Sequence, residues 1–191
     1  MLSPIFVASK KLNMSKILVK DKYFVPSITA AEIDKAVTKI ADRMNKDLEG
    51  KDPLFIVVLN GAFMFASDIF KKLKFPCEIS FVKMSSYVGT ETTGSIRELI
   101  GLDRSLKDRT VVVIEDIIDT GITMAHTIPL LKNLEAKEVK IATLIFKPEA
   151  FQKDYHIDYV GLKIPNDFIV GYGLDYDGHG RNLPEIYVIT E

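Results

Sequence analysis

Two adjacent carboxylates, Glu115 and Asp116, follow the apolar, β-branched run Val111-Val112-Val113-Ile114 and precede Ile117-Ile118-Asp119-Thr120-Gly121-Ile122-Thr123. The run reads as a strand buried on both faces of a parallel sheet and ending where the acids begin. Desolvating charge is costly, so acids at the mouth of such a strand imply a polar ligand. In open α/β sheets ligands bind at the C-terminal ends of strands. Glu115 and Asp116 accept hydrogen bonds when ionised, which suits sugar hydroxyls or a hydrated Mg²⁺. Thr120 and Thr123 supply hydroxyl donors, and Gly121 lets the backbone approach a phosphate closely. With Ile122 they lead into a helical pattern (Met124, Ile128, Leu131, Leu134) whose first N–H groups suit an anion. Asp119 then faces whatever sits between sugar and phosphate.

The plainer reading is a strand, an acidic turn and a helix capped by Asp119 or Thr120. No lysine stands in the loop, unlike the Gly-x-x-x-x-Gly-Lys-Ser/Thr loop of nucleoside triphosphatases. Aspartic proteases pair two Asp-Thr-Gly motifs in all-β folds; here a single one precedes a helix.

Other segments carry weaker signals alone. Asn60-Gly61 follows the apolar run Leu54–Leu59 and reads by itself as a tight turn. Lys147 ends an apolar run, where lysines usually snorkel to water. Phe168 reads as core, Asp175 to Gly178 as a turn, and Arg181 as a surface charge.

Together these segments resemble a known family. Val113 to Thr123 is similar to the phosphoribosyl-pyrophosphate motif of type I phosphoribosyltransferases. Val58-Leu59-Asn60-Gly61, Ser86-Tyr87, Ile145-Phe146-Lys147 and Phe168 to Tyr176 with Arg181 narrow the resemblance to hypoxanthine-guanine phosphoribosyltransferases. It runs from about Tyr23 to the C-terminus.

The resemblance implies that Glu115, Asp116, Asp119, Thr120, Gly121, Ile122 and Thr123 bind the phosphoribosyl group. Leu59, Asn60, Gly61 and Arg181 would hold pyrophosphate, with a cis peptide between Leu59 and Asn60. Several relatives carry lysine in place of Asn60, which removes a cation but leaves the backbone donors. Lys147 would reach the 6-oxo group of a purine. Phe168 would stack on that base, with Ile117 on its other face and Ile169 and Asp175 beside its edge. Ser86 and Tyr87 would sit on a closing loop. Mg²⁺ would be served by Asp175, with Glu115 and Asp116 nearby. Asp119 would act as general base toward N7 of the purine.

The elements that must position these residues alternate along the chain. Thr29-Ala30-Ala31-Glu32 is a capping box opening a helix with Ile33, Val37, Ile40, Met44 and Leu48 on one face. Leu54–Leu59, 77–84, 110–114 and 139–146 read as strands, and 62–73 as a helix. Residues 85–95 read as a mobile loop, and Pro129 implies a kink or early end to its helix. This order predicts a mostly parallel sheet flanked by helices. The resemblance adds a small hood from about 16–28 and 149–191, in a single domain spanning 16–191. Residues 1–15 read as a flexible extension, with Met14 an alternative start.

Composition bounds the rest. The 191 residues are 47% hydrophobic with a net charge of −1, which fits one globular domain and gives no nucleic-acid or membrane surface. Cys77 is the only cysteine and the three histidines are scattered, so neither a disulfide nor a zinc site is expected. No signal-peptide pattern opens the chain, so the expected location is cytoplasmic. The resemblance implies an enzyme making a nucleoside monophosphate from phosphoribosyl pyrophosphate and a 6-oxopurine, assembled as a homodimer or homotetramer. The rival of another class is a non-catalytic regulator on the same fold, against which the charge balance and the set Asp119, Lys147, Asp175 and Arg181 argue. Lys147 and Phe168 speak against an orotate- or adenine-specific transferase.

Overall fold

The longest apolar runs of the chain become the central strands of a sheet covered on both faces. A computed structural model describes residues 5–6, 16–85, 97–102 and 104–190. The elements are β1 (Ile5–Phe6), β2 (Ile17–Val19), β3 (Lys22–Ile28), α1 (Ala30–Asp47), β4 (Leu54–Leu59), α2 (Phe63–Phe70), β5 (Glu78–Ser85), β6 (Arg97–Ile100), β7 (Thr110–Ile118), α3 (Ile122–Asn133), β8 (Glu138–Phe146), β9 (Tyr159–Lys163), β10 (Ile169–Val170) and β11 (Ile186–Thr190). Among the described residues a seven-stranded sheet runs β1-β9-β8-β7-β4-β5-β6, parallel except for β6, and a four-stranded antiparallel sheet runs β10-β11-β3-β2. The second sheet is the hood.

Successive strand residues point to opposite faces, and here both faces are apolar. Phe55, Val57, Val112 and Ile114 join the core beneath α1 and α2. Leu54, Ile56, Val58, Val111 and Val113 join a second core beneath α3. Helix α1 opens on the expected capping box: the Glu32 N–H donates to Thr29 Oγ1 at 3.3 Å and the Thr29 N–H to Glu32 Oε2 at 2.9 Å. It buries Ile33, Ala36, Val37, Ile40, Ala41 and Met44.

Several expectations change. Strand β7 continues through the acids to Ile118 rather than ending at Ile114, because β8 pairs with it as far as Ile118–Phe146 and backbone pairing does not depend on side-chain polarity. Helix α3 is capped by Gly121 without any side-chain bond, not by Asp119 or Thr120, and it passes through Pro129. An interior proline costs about 3 kcal/mol; burying Met124 and Leu131 is worth about 1.5–3 kcal/mol each. Strand β9 lies in the main sheet, while β10 and β11 pair with β3 and β2 in the second sheet. Within the segment read as a flexible extension, Ile5 pairs with Leu162 and Phe6 with Lys163, two apolar residues completing the sheet edge. Of the loop read over 85–95, Ser85 ends β5 and 86–95 lie outside the described residues. Among the described residues no helix is long and apolar enough to cross a membrane.

One part-buried hydrogen bond ties the C-terminal segment to the main core. Tyr172, 5% exposed, donates its hydroxyl to Asp68 Oδ2 on α2 at 2.6 Å. Burial would raise the Asp68 carboxyl, but bonds from Lys71 and Tyr172 prevail and hold it below its ordinary value. Tyr172→Phe should cost about 1–2 kcal/mol, read as a lower urea midpoint with an unchanged m-value. A carboxyl lowered in the fold stabilises above its unfolded pKa and loses that contribution as pH falls through the folded value. The deficit should therefore shrink below about pH 4; a deficit equal at pH 3 and pH 7 would contradict the charged bond.

Candidate active site

Strand β4 sends the chain to β5 on one side, while β7 lies on its other side and leads to β8 and β9. The order thus reverses between β4 and β7, and a crevice at such a point, outside the strand C-termini, is where open α/β sheets bind ligands. The loops after both strands meet there. The Leu59–Asn60 peptide is cis, as the resemblance implies. Gly61 lies so close that any side chain there would overlap the Asp116 carboxylate.

On the other loop, residues Glu115 to Met124 and Tyr155 line a pocket of about 250 Å³. Gly121 has φ +80°, and a Cβ there would stand 2.6 Å from the Phe151 ring and 2.9 Å from the Tyr155 hydroxyl. The turn therefore needs glycine for both conformation and space. Thr120, Ile122 and Thr123 are exposed on this loop. The N–H groups of the first turn of α3 have no partner within the helix and suit an anion.

The two acids do not act as a pair. Alternation along β7 sends Glu115 to the face of Val111 and Val113, toward α3, and Asp116 to the opposite face, toward Gly61, Asp175 and Arg181. The alternation lapses next, Ile117 packing on the α1–α2 side and Ile118 on the α3 side. Glu115 is 8% exposed and its Oε2 is without a hydrogen-bond partner. Burial first, then the Asp116 charge, push its carboxyl well above the ordinary range. Burial also raises Asp116, to about 6, against the Ile117 N–H at 3.0 Å and the Arg181 charge, which favour the carboxylate. A buried carboxyl with one unpartnered oxygen beside a pocket can accept a hydroxyl donor.

Two cation–carboxylate pairs complete the site. Lys147 follows β8, is 7% exposed, and sets Nζ 3.2 Å from Asp119 Oδ2. Its own N–H donates to the Ile118 carbonyl at 2.9 Å, which pins the ends of β7 and β8 together. It is buried rather than snorkelling. Arg181 donates to Asp175 at 2.6 Å and to the Gly173 carbonyl at 2.7 Å, and Asp175 also accepts from the Gly178 N–H at 2.7 Å. Phe168 is 46% exposed, held by Tyr176 (centroids 5.8 Å, edge-on) and Phe24 (6.3 Å). An aromatic ring kept half in solvent on packed neighbours can stack on a planar ligand, whereas a core ring cannot. Ile169 beside it is buried.

Some expected groupings are absent. Glu115, Asp116 and Asp175 do not converge as one chelating set, and among the described residues no cluster of three or more ligand-type side chains does; the alternation of β7 separates the first two. Ser86 and Tyr87 lie outside the described residues. Tyr155 lines the pocket although no motif marks it; the one sequence signal is an aromatic pair, Phe151 and Tyr155, soon after the strand that ends at Phe146.

Comparison with known proteins places this geometry. The phosphoribosyl transferase domain family matches residues 27–177. A bifunctional protein TilS/HprT of Listeria monocytogenes serotype 4b is 39% identical over 163 residues, 85% of this chain and 25% of that protein, so the chain spans about a quarter of that relative's length. The hypoxanthine-guanine phosphoribosyltransferase of Streptococcus thermophilus is 42% identical over 154 residues, 80% of this chain and 86% of that one. A crystal structure of a hypoxanthine phosphoribosyltransferase from Staphylococcus aureus matches with a TM-score of 0.81 at 36% identity, over 87% of this chain and 91% of that chain. With such identity over most of both chains, this protein belongs to the hypoxanthine-guanine phosphoribosyltransferases of the phosphoribosyl transferase domain family.

Proposed function

We propose that this chain works in purine salvage, transferring the 5-phosphoribosyl group from phosphoribosyl pyrophosphate to hypoxanthine or guanine and releasing pyrophosphate. The observation that carries this reading is the buried Lys147 beside Asp119, at the C-terminal ends of adjacent strands and next to the anion loop. The bond from the ribosyl C1′ to pyrophosphate breaks, the bond from C1′ to a purine nitrogen forms, and the N7 proton of the base passes to Asp119. Lys147 has three donors, so bonding Asp119 leaves two for a 6-oxo oxygen. Phe168 stacks on the base, with Ile117 opposite, and the backbone of Ile169 reads its edge. The Thr120–Thr123 turn binds the 5-phosphate, and Glu115 takes the ribose hydroxyls. The loop at Asn60–Gly61 and Arg181 bind the leaving pyrophosphate, whose charge suits a guanidinium. Holding sugar and base in one geometry removes much of the entropic barrier.

Mg²⁺ fits this site as an ion held mainly by the substrate. It usually takes one or two carboxylates plus phosphate oxygens and water, and Asp175 offers a carboxylate beside Arg181. When bound, the ion neutralises charge on the pyrophosphate. Ser86 and Tyr87 belong to the closing loop in this reading, residues 1–15 extend a single domain, and the working form is a cytoplasmic homodimer or homotetramer.

Three outcomes test the reading. Turnover with phosphoribosyl pyrophosphate should proceed with hypoxanthine or guanine, stop in excess EDTA and return with Mg²⁺. Adenine should be used at least about 10⁴-fold less well, because its 6-amino donors would face the Lys147 ammonium, and Lys147→Ala should lose most 6-oxopurine kcat/KM; efficient adenine conversion would sink the role of Lys147. Asp119→Asn should lower kcat by about 10²–10⁴-fold with little change in the KM for phosphoribosyl pyrophosphate, and an unchanged kcat would remove Asp119 from the mechanism.

A fourth outcome concerns stability. A carboxyl held at about 6 in place of its ordinary 3.8 costs the ligand-free fold up to about 3 kcal/mol at neutral pH. The native state then binds more protons than the unfolded chain between those values, so this contribution falls as pH rises from about 4 to about 6. Asp116→Asn should therefore raise the Tm of the ligand-free protein at pH 7.5, with a smaller gain at pH 5. A variant less stable at pH 7.5 would show that Asp116 is not under this strain.

A further inference from the structure

The segment after β8 folds back over the phosphate loop and holds it by its carbonyls. The Gln152 N–H donates to the Thr120 carbonyl at 3.3 Å, and the Tyr155 hydroxyl donates to the Gly121 carbonyl at 3.1 Å. The Gly121 carbonyl also accepts the first helical bond of α3, from the Ala125 N–H at 3.1 Å. Gly121 caps α3 with φ +80° and no side-chain bond, so the cap itself brings no side chain to fix this turn. The Tyr155 ring stands edge-on to Phe151 (5.1 Å), which stands edge-on to Phe146 at the end of β8 (5.3 Å). This ladder gives the hydroxyl a rigid mount on the main sheet. Tyr155 also lines the pocket with Glu115 and the Thr120–Thr123 turn.

We propose that Tyr155 is a positioning residue for the substrate's 5-phosphate: its hydroxyl fixes the Gly121 carbonyl on the aromatic side of the turn, so that the N–H groups of the turn are set toward the anion. The inference rests on the reading of this pocket as the phosphoribosyl site. Preorganised donors bind an anion without the cost of ordering the loop at the moment of binding. Burial and the nearby Glu115 push the phenol up to about 12, so it donates throughout the neutral range. A phenylalanine here keeps the ring ladder and the cover over Gly121 and deletes only the donor.

The test compares native protein with Tyr155→Phe, using ribose 5-phosphate as probe in calorimetry and steady-state kinetics beside it. The variant should bind ribose 5-phosphate about 3- to 10-fold more weakly, the range that one net hydrogen bond supplies. The KM for phosphoribosyl pyrophosphate should rise by a similar factor, while kcat at saturation and the KM for hypoxanthine stay unchanged. A purely structural tyrosine would lower the Tm without this split. Equal affinity for ribose 5-phosphate in the two proteins, no binding of it by the native protein, or parallel losses in kcat and the hypoxanthine KM would each overturn the proposal. A native protein that binds ribose 5-phosphate with the Tyr155 deficit but turns over no purine would instead overturn the transferase reading and leave Tyr155 in its role.

Discussion

The parallel pairing of β4 with β7 at the centre of the main sheet is the constraint on which the site depends. Their register, Leu54 with Val111 through Val57 with Ile114, brings the ends of two runs separated by many residues side by side. Gly61 then abuts Asp116, so the loops after β4 and β7 open side by side. Both strands are buried on both faces, so a slip of one residue would trade side chains between two cores of different shape. The packing that stabilises the sheet is therefore also what fixes the distance between the two loops.

Placing charge at this junction has a consequence that the rest of the structure contains. Glu115 and Asp116 are both shifted toward the neutral form by burial. Alternation along the strand separates them, which limits their repulsion and gives each a different neighbourhood. Asp116 looks toward the Arg181–Asp175 pair, where positive charge moderates its cost. Glu115 looks toward Tyr155 and the pocket with one oxygen unpartnered. Strain of this kind is expected where binding energy is to be released on ligand entry.

The hood joins the main core through buried apolar residues, among them Ile28, Ile169 and Ile186, and through a few directional contacts. Tyr172 reaches Asp68 on α2, the helix that begins just after Gly61, while Arg181 hangs from the Gly173 carbonyl next to Tyr172. The segment that carries Phe168, Asp175 and Arg181 is thereby tied to the same helix that follows the Asn60–Gly61 loop. The placement of Phe168, Asp175, Arg181 and the Asn60–Gly61 loop follows from one chain path rather than from independent loops.

The sequence by itself determined the elements whose signals are local. The bounds of β4, the capping box at Thr29 and Glu32, and the acid-rich stretch after Ile114 follow from residue type and short-range spacing, and the family likeness nominated the candidate site residues. Tertiary structure decided what depends on distant partners. Strand β7 runs on to Ile118 because β8 continues to pair with it, α3 survives Pro129 because its face is buried, and β9 joins the main sheet because β8 lies open beside it. The meeting of Lys147 with Asp119, 28 residues apart in the chain, and the cover of Gly121 by Phe151 and Tyr155 leave no periodic trace. Hydrophobic period and capping chemistry act within a few residues along the chain, whereas desolvation and hydrogen bonding act through space, and only the fold says which side chains share that space.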